Sequence, residues 1–81
     1  MVRHFFTGEV VAQVLTDMGY TPVDRTGSHL KLRYKHPETG EVRNVSVPMG
    51  GEIPQGTLRN IADQCGAKDF DSFCEWIDRN R

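Results

Sequence analysis

From Ser28 to Lys35 the chain reads SHLKLRYK, alternating polar and apolar residues without a break. In an extended chain successive side chains point to opposite faces. A β-strand here therefore sets His29, Lys31, Arg33 and Lys35 on one surface and Leu30, Leu32 and Tyr34 on the other. Any fold that accommodates this strand must bury one side and leave the other open, cationic and suited to an anion.

The flanking segments supply what such a strand needs. TGEVVAQVLTDMGY places Val10, Val11, Val14, Leu15 and Met18 at helical spacing, with Thr7 as N-cap and Gly19 just past the end. YTPVDR predicts a short strand in which Pro22 cannot donate a ladder hydrogen bond, which favours a sheet edge. HPETGE supplies a turn and VRNVSVP a third strand ending at Pro48, so strands two and three should form an antiparallel hairpin. After the glycine-rich connector MGGEIPQG, Leu58, Ile61, Ala62 and Cys65 recur at helical spacing. Phe70, Phe73, Cys74 and Ile77 do so again behind Asp69, a plausible N-cap for a third helix over 69–79. The expected architecture is α+β, in the order α-β-β-β-α with an extra C-terminal helix. The helices should pack on one face of a three-stranded antiparallel sheet, against Leu30, Leu32, Tyr34, Val45 and Val47.

Eighty-one residues suffice for one small domain, and no linker or repeat divides 1–81. Net charge is −1, which excludes a uniformly basic nucleic-acid coat and requires any polyanion to be met by a local patch. The charges are unevenly placed. Arg25, Lys31, Arg33 and Lys35 occur with no carboxylate among them, whereas Asp69, Asp71, Glu75 and Asp78 occur with no cation. Cys65 and Cys74 lack the number and spacing of a disulfide framework or zinc site and read as reduced core residues. No apolar run could span a bilayer, and MVRHFFTGEVV lacks a signal-peptide core, so a cytoplasmic protein is expected.

His29 is the candidate for chemistry. Imidazole titrates near neutrality and can take a proton from a ribose 2′-hydroxyl, or give one to a departing 5′-oxygen, without a metal. The cations Arg25, Lys31, Arg33 and Lys35 could offset the extra charge on a phosphorane. By spacing alone, a single histidine on an exposed strand is more often an ordinary surface residue, and a row of cations more often a solvated face. His4 and His36 read as bystanders, and strand parity sends His36 to the side opposite His29. The C-terminal carboxylates form no metal constellation with a histidine, and no metal or cofactor is expected. IPQGTLRN offers a second anion site through Thr57, Arg59 and the free N–H groups of a helix start, although simple helix initiation explains it better. Trp76, Phe70 and Phe73 are spaced as core or docking residues.

Three features together resemble the HicA-type mRNA interferase toxins, the YcfA-like family. They are VLTDMGYTPVDRTGSHLKLRYKH, with Gly27-Ser28-His29 after the first strand; VSVPMGGEIPQGTLRNIADQCGA, with Val47-Pro48 followed by Gly56-Thr57-Leu58; and the α-β-β-β-α order. The match covers roughly residues 7–67. The resemblance implies a double-stranded-RNA-binding-domain-like fold, cleavage of mRNA, and neutralisation by a HicB-type antitoxin. It maps the family's catalytic histidine onto His29, with Gly27 and Ser28 as its context. Many members carry a second histidine shortly after the Val-Pro of strand three. Here Met49, Gly50 and Gly51 follow Pro48, so a second proton carrier must be a Lys, an Arg, Tyr34 or water. The alternative reading is a non-catalytic RNA-binding module of the same fold; a third is an interaction domain that docks a partner through Trp76.

Overall fold

The computed structural model describes residues 5–81; His4 lies outside the described residues. Helix α1 spans Gly8–Asp17, β1 Thr21–Thr26, β2 His29–Lys35, β3 Val42–Pro48, α2 Gln55–Gln64 and α3 Phe70–Asn80. The order is the one the sequence predicts. The sheet is antiparallel with strand order β1-β2-β3, so the alternating strand is its centre and is laddered on both sides.

Local chemistry fixes the ends of α1. The Thr7 hydroxyl accepts the Val10 N–H at 3.3 Å, and Gly19, at φ +104°, reverses the chain after the last turn. Val11, Val14 and Leu15 are buried beneath the helix, which therefore owes its stability to its apolar face more than to valine's helix propensity. Met18 does not join them. It occupies the C-cap, beyond the helical repeat, and is 40% exposed. Strand β1 is an edge strand, as Pro22 requires, and its ladder is irregular between Pro22 and Asp24.

The central strand sorts its residues as its alternation demands. Leu32 is fully buried and Leu30 and Tyr34 are half-buried, while His29, Lys31, Arg33 and Lys35 are exposed. Val45 and Val47 extend the buried face on β3. Helices α1 and α2 lie on this face, and α3 packs chiefly against those two helices. Leu15, Leu58, Ile61, Phe73 and Ile77 thus share one core with the sheet, joined by Phe6 and Ile53 from the connecting segments. At about 1.5–3 kcal/mol per fully buried large aliphatic or aromatic side chain, this core is the main source of stability.

Helix α3 begins at Asp69, whose carboxylate accepts the Ser72 hydroxyl at 2.7 Å and the Ser72 N–H at 3.0 Å. Those bonds lower the Asp69 pKa. A carboxyl with a depressed folded-state pKa contributes stability above its unfolded pKa and loses it as pH falls through the folded value. Asp69→Ala is therefore expected to remove part of the acid-side loss of stability, measured as the pH dependence of the thermal midpoint below pH about 4.

The start of α1 meets the end of β3 without room for a side chain. The Gly8 N–H donates to the Gly51 carbonyl at 3.0 Å, Ile53 N–H donates to Phe6 at 2.8 Å, and a Cβ on Gly8 would overlap the carbonyl oxygen of Pro48. Alanine would gain about 1 kcal/mol in helix propensity but would force two backbone segments apart. Gly8→Ala is expected to lower stability by a net of about 2 kcal/mol, read in thermal or denaturant unfolding.

Candidate nucleic-acid interface

His29 is the first residue of β2 and follows a two-residue turn. Thr26 and His29 pair across the hairpin, and Gly27 takes φ +59°, as Gly-X hairpin loops require at their first position. The Ser28 carbonyl accepts the Met49 N–H at 2.5 Å, which ties this turn to the segment following β3. Across β3, His29 lies opposite Pro48. The imidazole is thus flanked by Thr26 and Pro48 and held by a short hairpin, and no described residue hydrogen-bonds its ring. It is free to meet a ligand.

Lys31, Arg33 and Lys35 continue from His29 along the same face. Alternate residues of a strand are about 7 Å apart, so the three cations form a line leading away from the histidine. Arg25 is the exception among the sequence candidates. It pairs with Leu30, which puts it on the opposite face, and its Nε donates to the Gly27 carbonyl at 3.5 Å. The two-residue turn sets this parity by pairing Thr26 with His29 and Arg25 with Leu30, which the linear run of cations conceals. Asp24, by contrast, lies opposite Lys31 and brings a carboxylate to the basic face; it accepts the Arg25 N–H at 2.9 Å and the Thr26 hydroxyl at 3.4 Å.

Other candidates are placed elsewhere. The His36 Nδ1 accepts the N–H groups of Glu38 and Thr39, both at 3.2 Å, and so shapes the β2–β3 turn on the side away from His29. Tyr34 stacks on Tyr20 beneath the sheet at 5.2 Å, which removes it from the groups that could carry a proton beside His29. Arg59 extends over the Phe70 ring at 4.3 Å, and α2 begins at Pro54 without a side-chain cap. Cys74 is buried and Cys65 half-buried, both as free thiols. Burial pushes the Cys74 thiol up to about 11, and burial likewise raises Cys65, which hydrogen-bonds Tyr20. Trp76 is half-buried against Phe73 and lines a hollow of about 620 Å³ with Tyr20, Tyr34 and Arg43, beneath the sheet rather than on the basic face. Among the described residues no three His, Cys, Asp or Glu groups converge as metal ligands, and no helix is long and apolar enough to cross a membrane.

Sequence reasoning missed the polar neighbours of the cations. Asn44 lies opposite Arg33 and Ser46 opposite Lys31, both on the His29 face. Arg33 Nε donates to the Asn44 side-chain oxygen at 3.2 Å, and the Ser46 N–H donates to the Gln64 side-chain oxygen at 3.1 Å. The alternation of Asn44 and Ser46 with Val45 and Val47 could have disclosed the first two. Gln64 comes from the last turn of α2, and only the tertiary fold brings it here.

The architecture is that of an α+β protein with a double-stranded-RNA-binding-domain-like fold, one sheet face covered by helices and the other basic and open. Residues 8–67 match the family model described as HicA toxin of bacterial toxin-antitoxin, and the chain belongs to that family. It is accordingly the toxin of a toxin–antitoxin pair, and its partner is an antitoxin. No curated relative matches the chain.

The register makes a sharp electrostatic prediction. Replacing Lys31, Arg33 or Lys35 with alanine should reduce the slope of log affinity against log salt for single-stranded RNA by about 0.7–1 each. Arg25→Ala, on the other face, should leave that slope unchanged; fluorescence anisotropy across a salt series measures both.

Proposed function

We propose that the chain is a metal-independent endoribonuclease that cleaves mRNA, with His29 as its general acid or base, and that a HicB-type antitoxin silences it. The observation that carries this reading is the position of an unengaged imidazole at the head of a line of three exposed cations. In the reaction, His29 takes the proton of a ribose 2′-hydroxyl as that oxygen attacks the adjacent phosphorus. The 5′-oxygen then leaves with a proton, and the products are a 2′,3′-cyclic phosphate and a 5′-hydroxyl. Lys31, one pleat away, is placed to offset the charge that accumulates on the phosphorane, and Arg33 and Lys35 to hold the strand. The Gly27–Ser28 turn fixes where the imidazole stands. With Tyr34 beneath the sheet, the proton for the leaving oxygen comes from Lys31, from water, or from His29 itself acting as acid.

An acidic antitoxin surface laid over the same face would exclude RNA by charge competition. The location that fits both roles is the cytoplasm, where mRNA and a freshly made antitoxin are present together. A second reading, a non-catalytic RNA-binding module, is favoured by one observation: among the described residues His29 is the sole histidine on this face, because Met49 follows Val47-Pro48.

The experiment that separates them is cleavage of a mixed-sequence RNA by the purified chain in excess EDTA, beside His29→Ala. Metal-independent cleavage is expected to leave 2′,3′-cyclic phosphate ends and to fall by about 10²–10⁴ in His29→Ala, with fold and RNA affinity nearly intact. A fully active His29→Ala protein would overturn the assignment of His29. A folded wild-type chain that binds RNA without cutting it would establish the binding module instead.

A further inference from the structure

The open sheet face carries a carboxylate among its cations. Asp24 stands opposite Lys31, on the side where a polyanion would lie, and Thr26 stands directly opposite His29. Asp24 and Thr26 are two residues apart on β1 and share that face, where the Thr26 hydroxyl donates to the Asp24 carboxylate at 3.4 Å.

The direction of that bond matters. A carboxylate only accepts and a threonine hydroxyl has a single hydrogen, so the proton between them is threonine's. While it points to Asp24, Thr26 has only lone pairs left for His29. Directly opposed residues of an antiparallel pair hold their Cβ atoms about 4.5–5.5 Å apart, close enough for a hydroxyl and a ring nitrogen to meet by side-chain rotation alone. Of the two ring nitrogens, Nδ1 is the nearer to the backbone. When it turns along the sheet toward Thr26, Nε2 points outward. The other neighbours of His29 on this face are less suited. Lys31 only donates, Pro48 across β3 has no polar side-chain atom, and Asp24 and Ser46 lie a pleat further along, opposite Lys31.

We propose that Thr26, oriented by Asp24, is a positioning residue for His29: it accepts the Nδ1–H of the imidazole and so fixes the tautomer whose bare Nε2 faces the RNA. His29 is exposed, so in the free protein solvent serves both ring nitrogens. RNA laid over the face displaces that solvent, and the N–H turned toward the sheet then finds the Thr26 oxygen. In the reaction Nε2 takes the proton of the 2′-hydroxyl while Nδ1 keeps its own. The electron pair freed on the 2′-oxygen forms the bond to phosphorus, and the bond from phosphorus to the 5′-oxygen breaks. The ring is now an imidazolium, and its charge strengthens the bond to Thr26, behind which stands the Asp24 carboxylate. The proposal rests on the reading of His29 as the base in RNA cleavage. It also gives Asp24 a use on a face where a carboxylate alone works against phosphate binding.

The test removes the acceptor and keeps the shape. Thr26→Val retains the branched side chain that suits a strand, and Thr26→Ser restores the hydroxyl. The tautomer is read by ¹⁵N NMR of the imidazole at pH about 9, with the chain bound to a single-stranded 2′-deoxy oligonucleotide, which lacks the attacking hydroxyl. The His29→Ala spectrum identifies the resonances that belong to His29. The parent and Thr26→Ser are expected to show a protonated Nδ1 and a bare Nε2, and Thr26→Val a mixture of the two tautomers. In RNA cleavage, kcat should fall about tenfold in Thr26→Val with KM nearly unchanged, and recover in Thr26→Ser. If Thr26 and Asp24 only shape the hairpin, Thr26→Val leaves the tautomer and kcat of the folded protein as they are, and the proposal falls. A parent ring with its proton on Nε2 overturns it too. Failure to bind the oligonucleotide removes the proposal together with the RNA reading. An Nδ1–H ring that depends on Thr26, in a chain that binds RNA without cutting it, removes the nuclease reading alone and leaves the Thr26 bond standing.

Discussion

The structure depends on the burial of one side of β2. As the central strand it is laddered to both neighbours, and its apolar side chains, together with those of β3, are the floor on which α1 and α2 rest. Because side chains alternate strictly, burying Leu32 obliges Lys31 and Arg33 to face outward. The core and the basic face are two consequences of one register. A single-residue slip would place cations against the helices and leucines in water, a cost that no surface interaction could offset. The chemical character of the open face is therefore fixed by the packing beneath it.

The junction of Gly8, Ser28, Pro48 and Met49 performs a similar service for the histidine. A helix start, a hairpin turn and a strand end converge there, held by backbone hydrogen bonds that leave no room for a side chain at Gly8. At the same time the molecule is electrically divided. The carboxylates Asp71, Glu75 and Asp78 belong to the helical layer and Lys31, Arg33 and Lys35 to the open sheet face, so a chain with almost no net charge still carries a one-sided row of cations.

Local rules were enough for most of the fold. Period-two alternation found β2 and β3, period 3.6 found the helices, and Thr7, Gly19 and Asp69 marked where helices start or stop. The family match rests on the same stretch of chain that those patterns organise. What sequence could not disclose depends on pairing. Arg25 falls in the same linear cluster as Lys31, but the two-residue turn pairs it with Leu30 and so turns it away from His29. Met18 follows the helical spacing yet sits at the C-cap, where that spacing no longer applies. Gln64 reaches the basic face from α2, and Tyr34 loses its candidacy by stacking on Tyr20. The last two are tertiary facts with no trace in the spacing of residues, whereas the turn and the helix end are local.

A small open sheet has two unpaired margins, and such margins invite strands from other molecules. Here both are guarded. On the β1 side, Pro22 has no N–H to offer and the ladder is irregular beside it. On the β3 side, the Gln64 side chain accepts the Ser46 N–H that an added strand would use. Each margin thus withholds at least one ladder bond from an added strand. The penalty falls on edge-to-edge pairing between copies of the chain, where those ladder bonds would have to form.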